Sequence, residues 1–157
     1  MPLYRSHGIA DPAKLTIVGW SYGGYAALQS AVLAPDLFKA VVAIAPVTDL
    51  ETLKAESSGW SDEALVRHYV GVGPEVREGS PAQNAAKIKV PVLFVHGTQD
   101  ANVGYAESTL MAAKLKSAGG KVQLITFTGL DHQLEDNEAR KRLLKESDAF
   151  LRAATTH

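Results

Sequence analysis

A serine lies between two glycines near the start of the chain, in the sequence Gly19-Trp20-Ser21-Tyr22-Gly23. An apolar run of β-strand character, Leu15-Thr16-Ile17-Val18, precedes it, and an apolar, small-residue stretch of helical character follows over residues 24–33. A sharp strand-to-helix turn lifts a serine hydroxyl clear of a sheet, and Gly-x-Ser-x-Gly is typical of this nucleophile elbow. We expect a Cβ at either flanking glycine to collide with neighbouring backbone. The pattern predicts a nucleophilic Ser21; the alternative is a serine that only caps the helix.

Three further apolar runs, residues 40–46, 90–97 and 121–127, predict the remaining strands. The first two are nearly unbroken and rich in valine, as expected for parallel strands buried on both faces, whereas the third alternates like a more exposed strand. Helices are predicted over residues 61–70, 107–118 and 137–153. The last of these is expected to place Leu143, Leu144, Phe150 and Leu151 on one face. The alternation of strands and helices predicts an α/β fold with a mainly parallel sheet and flanking helices.

Two polar residues follow the later strands and are candidate partners of Ser21. Asp100 follows the run 90–97, and His132 follows the run 121–127. Because ligands bind at the carboxyl ends of strands in such sheets, we expect Ser21, Asp100 and His132 to lie close together. Serine, histidine and aspartate in this arrangement would perform nucleophilic acyl transfer, with His132 as the general base.

Other residues compete for two of these roles. Asp131 and Asp136 are alternative acids, but Asp131 adjoins His132 in sequence, and neighbouring residues rarely orient each other as a base and acid pair. Asp131 is expected to be solvated or to stabilise its loop. His96 ends a strand and is expected to be structural, with its ring bonded to nearby backbone in a buried turn.

A metal site built from Asp100, Asp131 and His132 is the remaining alternative for these residues. It is less favoured because no His-x-x-x-His or equivalent ligand spacing occurs in the sequence. No metal and no other cofactor is therefore expected.

The serine motif extends into a longer match, Gly8-Ile9-Ala10-Asp11-Pro12-Ala13-Lys14 leading into it, with Gly24-Tyr25 after it. Further matching segments are Ser80-Pro81, Ile88-Lys89-Val90-Pro91-Val92-Leu93, His96-Gly97-Thr98-Gln99-Asp100-Ala101-Asn102-Val103 and Asp131-His132. Together they resemble the catalytic domain of the prolyl oligopeptidase family, α/β-hydrolases that include dipeptidyl and acylaminoacyl peptidases and related esterases. The resemblance implies that Ser21 is the nucleophile, Asp100 the orienting acid and His132 the base. It implies the Tyr22 backbone N–H as an oxyanion donor and Trp20, Tyr22 and Val103 as substrate contacts.

The chain also departs from the family pattern. A domain of this type usually opens with about four further strands, which pair with the strand before the serine and carry the loop of a second oxyanion donor. We therefore expect a single domain over residues 1–157 that is truncated at its N-terminus, with about four strands present. Residues 2–7 are too short to cover the open edge of the first strand, so a homodimer or larger oligomer is expected through that edge.

Composition narrows the function further. The 157 residues are 46% hydrophobic, carry a formal net charge of −1 and include no cysteine. This excludes a general attraction to nucleic acid or anionic membranes, as well as thiol catalysis. The N-terminus lacks the apolar core of a signal peptide and no run could span a bilayer, so the chain as it stands is expected in the cytoplasm.

The predicted function is a serine carboxylesterase acting on small, short-chain acyl esters. The first alternative is the catalytic part of a dipeptidyl or acylaminoacyl-type serine peptidase that acts on short peptides. The second is an inactive interaction domain, if the missing strands are essential. The intact set of Ser21, Asp100 and His132 favours an enzyme.

Overall fold

The computed structural model describes Gly8 and residues 11–156. The expectation that residues 2–7 are too short to cover the first strand lies outside the described residues. The elements follow in the order β1 (Ile17–Trp20), α1 (Tyr22–Leu33), β2 (Val41–Ile44), α2 (Leu50–Glu56), α3 (Glu63–Val70), α4 (Pro74–Glu78), a 3-10 segment (Pro81–Lys87), β3 (Val92–Gly97), α5 (Tyr105–Ser117), β4 (Val122–Phe127) and α6 (Asn137–Thr155).

The four strands form one parallel sheet in the order β1-β2-β3-β4. Ile17 lies opposite Val41, and Val41 lies opposite Val92. Every residue of the central strands β2 and β3 is buried, whereas β4 at the edge is only partly so. The predicted parallel α/β architecture is confirmed, because β-branched side chains suit strands that are covered on both faces.

Two apolar cores cover the two faces of the sheet. Alternate residues of the central strands divide between them, so that Val41 and Phe94 join one core while Val42 and Leu93 join the other. Helices α1 and α5 pack in the first core, and α6 packs in the second through residues that include Leu143. The expectation that Leu144 shares this face is wrong: Leu144 is 67% exposed, because successive residues of a helix point in different directions.

Strand β1 forms the other edge of the sheet. Among the described residues it pairs with β2 alone, and Val18 in its middle is 51% exposed. The predicted strand began at Leu15, but the ladder begins at Ile17. The carbonyl of Leu15 instead accepts a bond from Lys39 N–H in the loop that enters β2. Within the part of the chain that the structure describes, one row of backbone groups along β1 is therefore left without strand partners.

Residues 49–87 form an insert between β2 and β3, where the sequence predicted one helix over residues 61–70. The insert contains three short helices and the 3-10 segment. The unpredicted helix α2 begins at Leu50 and is capped by Asp49, whose carboxylate accepts hydrogen bonds from the N–H groups of Glu51 and Thr52. Such capping satisfies amide groups that the helix itself leaves free. None of the helices in the described part of the chain has the length and apolarity needed to cross a bilayer.

Candidate active site

The turn between β1 and α1 holds Ser21 in a strained conformation. Its φ of 58° and ψ of −121° lie in a region that residues other than glycine rarely adopt, at a cost of about 1–3 kcal/mol. Ser21 N–H donates to the Ile44 carbonyl across 2.8 Å, which ties the turn to the end of β2. Surrounding structure therefore imposes this conformation, and it presents the serine at the carboxyl ends of the strands.

The glycines of the motif contribute unequally to this turn. A Cβ at Gly19 would lie 2.0 Å from the carbonyl oxygen of Gly23, so Gly19 has no room for a side chain. The collision expected at Gly23 is wrong, since no described atom outside its chain neighbours and the backbone of its own helix lies within 4 Å of a Cβ added there. The carbonyl group of Gly23 faces Gly19, whereas a side chain on Gly23 would point away from this contact. The next residue is instead constrained, because a Cβ on Gly24 would lie 2.9 Å from Pro46 Cβ.

The Ser21 side chain is not a helix cap. Although Ser21 occupies the position before α1, its hydroxyl makes no capping hydrogen bond within the described residues. The capping alternative is therefore wrong. Tyr22 begins α1, and an N–H in the first turn of a helix has no acceptor within that helix. The Tyr22 N–H thus remains available next to the serine hydroxyl.

Asp100 and His132 meet by a short hydrogen bond. His132 Nδ1 lies 2.7 Å from Asp100 Oδ2, and the side chains of His132 and Asp100 are only 9% and 0% exposed. Because an ionised carboxylate only accepts, Nδ1 of His132 carries the proton and Nε2 is left with a free lone pair. This is the arrangement that makes a histidine ready to accept a proton at Nε2.

The carboxylate of Asp100 is stabilised in its ionised form. Burial raises the pKa of Asp100, but donated hydrogen bonds outweigh that effect and lower the pKa from 3.8 to about 2. The donors are the His96 ring, the Val103 N–H, the His132 ring and the Asn102 N–H. Asp100 is therefore a fixed negative charge under His132 throughout the neutral pH range.

The loop that carries His132 is held against the end of β3 and against β1. A Cβ at Gly97 would lie 2.3 Å from the Leu130 carbonyl oxygen, so glycine permits this close approach. The Trp20 indole N–H donates to the His132 carbonyl oxygen across 3.1 Å. Trp20 directly precedes Ser21, so this bond links the serine turn with the histidine loop. Within the described residues, no hydrogen bond joins the Ser21 hydroxyl to the His132 ring, a looseness that unliganded sites often show.

The competing acids have other partners. Asp131 is exposed, and its Oδ1 accepts from the Gln133 N–H within the same loop. Asp136 caps α6 by accepting from the Ala139 N–H at 2.7 Å. Neither carboxylate shares the position of Asp100, and the described residues contain no cluster of three or more ligands suited to a metal ion.

An apolar cavity of about 450 Å³ lies beside the serine turn. Its walls come from the start of α1, the segment after β2, and helices α2 and α3: Tyr22, Tyr25, Val47, Leu50, Leu53, Leu65, Val66, Tyr69 and Val70. Tyr22 is one of the three predicted substrate contacts. The others do not line this cavity: Trp20 packs toward the α6 side of the sheet, and Val103 is 4% exposed, with its backbone bonded to Asp100 and His96.

His96 has a contact that the sequence did not predict. Its ring is fully buried and bonds to the Val103 carbonyl, as expected of a structural histidine, but it also reaches Asp100 Oδ2 at 3.1 Å. The sequence feature that could have predicted this contact is the position of His96 near the end of β3, four residues before Asp100.

Comparison with known proteins agrees with the geometry. The family model described as "Prolyl oligopeptidase family" matches residues 3–157. The chain belongs to this family. It is 30% identical over 156 residues to dipeptidyl peptidase 4 of Sus scrofa, covering 95% of this chain and 19% of that protein. It is 28% identical over 141 residues to the acylamino-acid-releasing enzyme of Arabidopsis thaliana, covering 82% and 18%.

The solved structure of a puromycin-hydrolyzing peptidase from Mycobacterium tuberculosis superposes with a TM-score of 0.88 at 28% identity. The match covers 98% of this chain and 24% of that one. The α/β-hydrolase fold of this prolyl oligopeptidase family member is thereby confirmed. The chain spans about a fifth of the length of the curated relatives it matches, with 19% of the pig protein covered.

Proposed function

We propose that this chain carries the nucleophile, acid and base of a serine peptidase that cleaves short or N-acylated peptides through an acyl-enzyme. The observation that carries the proposal is the 2.7 Å bond from His132 to the unexposed carboxylate of Asp100, at the same end of the sheet as the strained Ser21 turn. The similar proteins are a dipeptidyl peptidase, an acylamino-acid-releasing enzyme and a puromycin-hydrolyzing peptidase, which supports a peptidase over the carboxylesterase predicted from sequence.

The mechanism begins with proton transfer from Ser21. His132 Nε2 accepts the hydroxyl proton as Oγ attacks the substrate carbonyl carbon, while Asp100 keeps the ring in the Nδ1–H tautomer and stabilises the imidazolium. The imidazolium then gives the proton to the leaving amine, and the C–N bond breaks to leave an ester on Ser21. Water then attacks the ester carbon while His132 Nε2 accepts its proton. The bond from this carbon to Ser21 Oγ breaks, His132 returns the proton to Oγ, and the acyl group leaves as a carboxylic acid.

The Tyr22 N–H is the proposed oxyanion donor. It lies at the N-terminus of α1, where the helix dipole also favours negative charge, and one such donor typically contributes about 3 kcal/mol. Tyr22 is the one donor proposed among the described residues, and a site with one donor stabilises the tetrahedral intermediate less than a site with two. Activated esters, which have better leaving groups than amides, are therefore the faster substrates expected of this chain by itself.

The cavity beside Ser21 supports an apolar substrate residue. Tyr22 joins the two features, since its backbone follows the nucleophile while its side chain lines the cavity wall. No lining residue is charged. We propose that the cavity takes the side chain of the residue whose carbonyl Ser21 attacks, and that acidic or basic residues are disfavoured there because they would lose hydration without gaining a partner.

A test compares nitrophenyl acetate, butyrate and octanoate with aminoacyl-nitroanilides bearing apolar or charged side chains, alongside labelling by a fluorophosphonate. The proposal expects labelling at Ser21 and a preference for apolar aminoacyl groups. Ser21→Ala should lose both signals, and Ser58→Ala, which alters an exposed serine of the insert, should keep both. Ester turnover without any nitroanilide cleavage would support the carboxylesterase instead. Absence of labelling would support the interaction domain.

A further inference from the structure

Two histidine rings bind the same oxygen of Asp100. Oδ2 lies 2.7 Å from His132 Nδ1 and 3.1 Å from His96 Nε2. The other oxygen, Oδ1, accepts from the backbone N–H groups of Asn102 at 2.9 Å and Val103 at 2.8 Å. Four donors thus surround a side chain with no solvent exposure. Only one of them, His132, has a part in the proposed reaction.

The tautomer of His96 follows from its neighbours. Nε2 faces two acceptors, Asp100 Oδ2 and the Val103 carbonyl oxygen at 3.0 Å, so Nε2 carries a proton. Nδ1 lies 2.7 Å from Ser108 Oγ on α5, whose hydroxyl donates to it. The Tyr105 ring packs edge-on at 5.7 Å between centroids. Both ring nitrogens are therefore occupied, and the buried ring has a single orientation.

We propose that His96, oriented by Ser108, is a positioning residue for the hydrolytic reaction. Its Nε2–H holds the Asp100 carboxylate in the orientation that His132 needs, and it draws part of the negative charge of Oδ2 away from the His132 ring. The catalytic consequence rests on the proposed function, whereas the hydrogen-bond relationship does not. The charged and titratable groups that face the His96 ring are Asp100 and Tyr105, with His132 beyond the carboxylate.

The geometry offers a matched pair of substitutions at this position. The amide nitrogen of glutamine can occupy the place of Nε2, so His96→Gln retains a donor to Asp100. The shorter asparagine places its amide near Nδ1, so His96→Asn retains a partner for Ser108 but leaves Asp100 one donor short. Comparing the two separates the contact with Asp100 from simple filling of the core.

Loss of the donor has two expected effects. The carboxylate gains rotational freedom, and a small misplacement of a catalytic group can lower the rate about 100-fold. More negative charge on Oδ2 also strengthens the hydrogen bond that it accepts from His132 Nδ1. We therefore expect His96→Asn to lower kcat by about 10- to 100-fold with little change in KM, and to shift the His132 Nδ1–H resonance. His96→Gln should restore most of the kcat and most of the resonance position.

The experiment combines kinetics on a nitrophenyl ester with NMR of protein labelled with ¹⁵N in its histidines. In the unsubstituted protein, His96 should be protonated at Nε2 and His132 at Nδ1. The downfield His132 Nδ1–H resonance should move in His96→Asn and remain close to its original position in His96→Gln.

Two results would overturn the inference. One is a His96 ring protonated at Nδ1 alone in the unsubstituted protein, a measurement that stands even if a variant fails to fold. The other is a His96→Asn protein with unchanged kcat and an unchanged His132 Nδ1–H resonance. If fluorophosphonate fails to label Ser21, the proposed function fails, and the NMR comparison still decides whether His96 governs the Asp100–His132 bond.

Discussion

The indole N–H of Trp20 and the backbone carbonyl of His132 form a hydrogen bond of 3.1 Å between residues 112 positions apart in sequence. Trp20 ends β1 and precedes the candidate nucleophile, so the bond fixes the histidine loop relative to the serine turn. The indole also packs against the core on the α6 side of the sheet. A partly buried anchor that packs on the core thus links the Ser21 turn to the His132 loop, although Ser21 and His132 make no direct bond in the described structure.

Removing this bond should affect the rate more than the fold. Trp20→Phe keeps an aromatic ring but loses the N–H, so we expect unfolding to become easier by about 1 kcal/mol. We expect kcat for ester hydrolysis to fall about tenfold as the His132 loop loses its register with Ser21. Urea denaturation and steady-state kinetics measure the two effects. Trp60→Phe, in the insert, is the control, and an equal loss of rate there would contradict the assignment.

Backbone strain at Ser21 should lower the free energy of unfolding by a measurable amount. Ser21→Gly relieves a φ of 58°, and we expect the free energy of unfolding to rise by about 1 kcal/mol, the strain less the greater unfolded-state entropy of glycine. Ser21→Ala keeps the strain and should leave stability nearly unchanged. Both variants should lose turnover. If denaturation shows no difference between them, the turn is not strained.

The acid and the base should differ in how much activity survives their loss. We expect His132→Ala to be as damaging as Ser21→Ala, at about 10⁶-fold, and Asp100→Asn to lose only about 10⁴-fold. The asparagine amide would point N–H groups at the protonated nitrogens of His96 and His132, which favours the wrong tautomer of each. Asp131→Asn is the matched control. A larger loss of activity from Asp131→Asn than from Asp100→Asn would show that Asp131, and not Asp100, is the acid.

A buried glutamate outside the reaction should make stability depend on pH. Glu107 is 1% exposed, and its Oε2 accepts from Thr48 N–H, Thr48 hydroxyl and Asp49 N–H, whereas its Oε1 has no partner among the described residues. Burial raises the pKa of Glu107 against these hydrogen bonds, and nearby Glu56 raises it further. Neutral Glu107 is thus favoured in the folded state, so its contribution is present at acid pH and lost as pH rises through the folded pKa.

Glu107→Gln preserves the acceptor and cannot ionise. We expect this variant to exceed the unsubstituted protein in stability by about 1 kcal/mol at mildly alkaline pH, with the difference shrinking toward acid pH. Urea denaturation across this range tests it. Glu135→Gln, at an exposed position, should show no such trend. A Glu107→Gln protein that is less stable at alkaline pH would show that the ionised form is the favoured one.

The open edge of β1 should promote self-association. Its backbone groups have partners only on the β2 side among the described residues, and Val18 adds exposed apolar surface. We expect sedimentation equilibrium at micromolar concentration to show a dimer or larger oligomer. Val18→Lys should shift it toward monomer, since charge on an edge strand opposes pairing. A monomer in the unsubstituted protein would contradict the expectation.

The sequence predicted the sheet well because its central strands are continuous apolar runs that suit only burial on both faces. It also predicted that Asp100 and His132 meet, because both follow strands whose carboxyl ends share one edge. These inferences needed only the pattern of apolar residues along the strands and the rule that sites form at the carboxyl ends of parallel strands.

Contacts that depend on side-chain direction were not predictable in the same way. Whether Leu144 faces the core depends on the rotation of α6, and whether Gly23 has room for a side chain depends on the path of one turn. The cavity requires helices α1, α2 and α3 to meet in space, and α2 was not recognised. The bond from His96 to Asp100 likewise arises only when the loop after β3 folds back on its own strand.

The glycines at positions 19 and 97 have a consequence for how this protein can vary. At both, main chain packs on main chain: Gly19 on Gly23 within the serine turn, and Gly97 at the end of β3 on the histidine loop. The shape of the turn and the seat of the loop are therefore set by atoms that every amino acid shares. Side chains in the layers beneath can therefore be exchanged during evolution or engineering without moving the reacting groups. Mutational tolerance should be broad in the helices and narrow at these two glycines, where even a methyl group would separate the parts of the site.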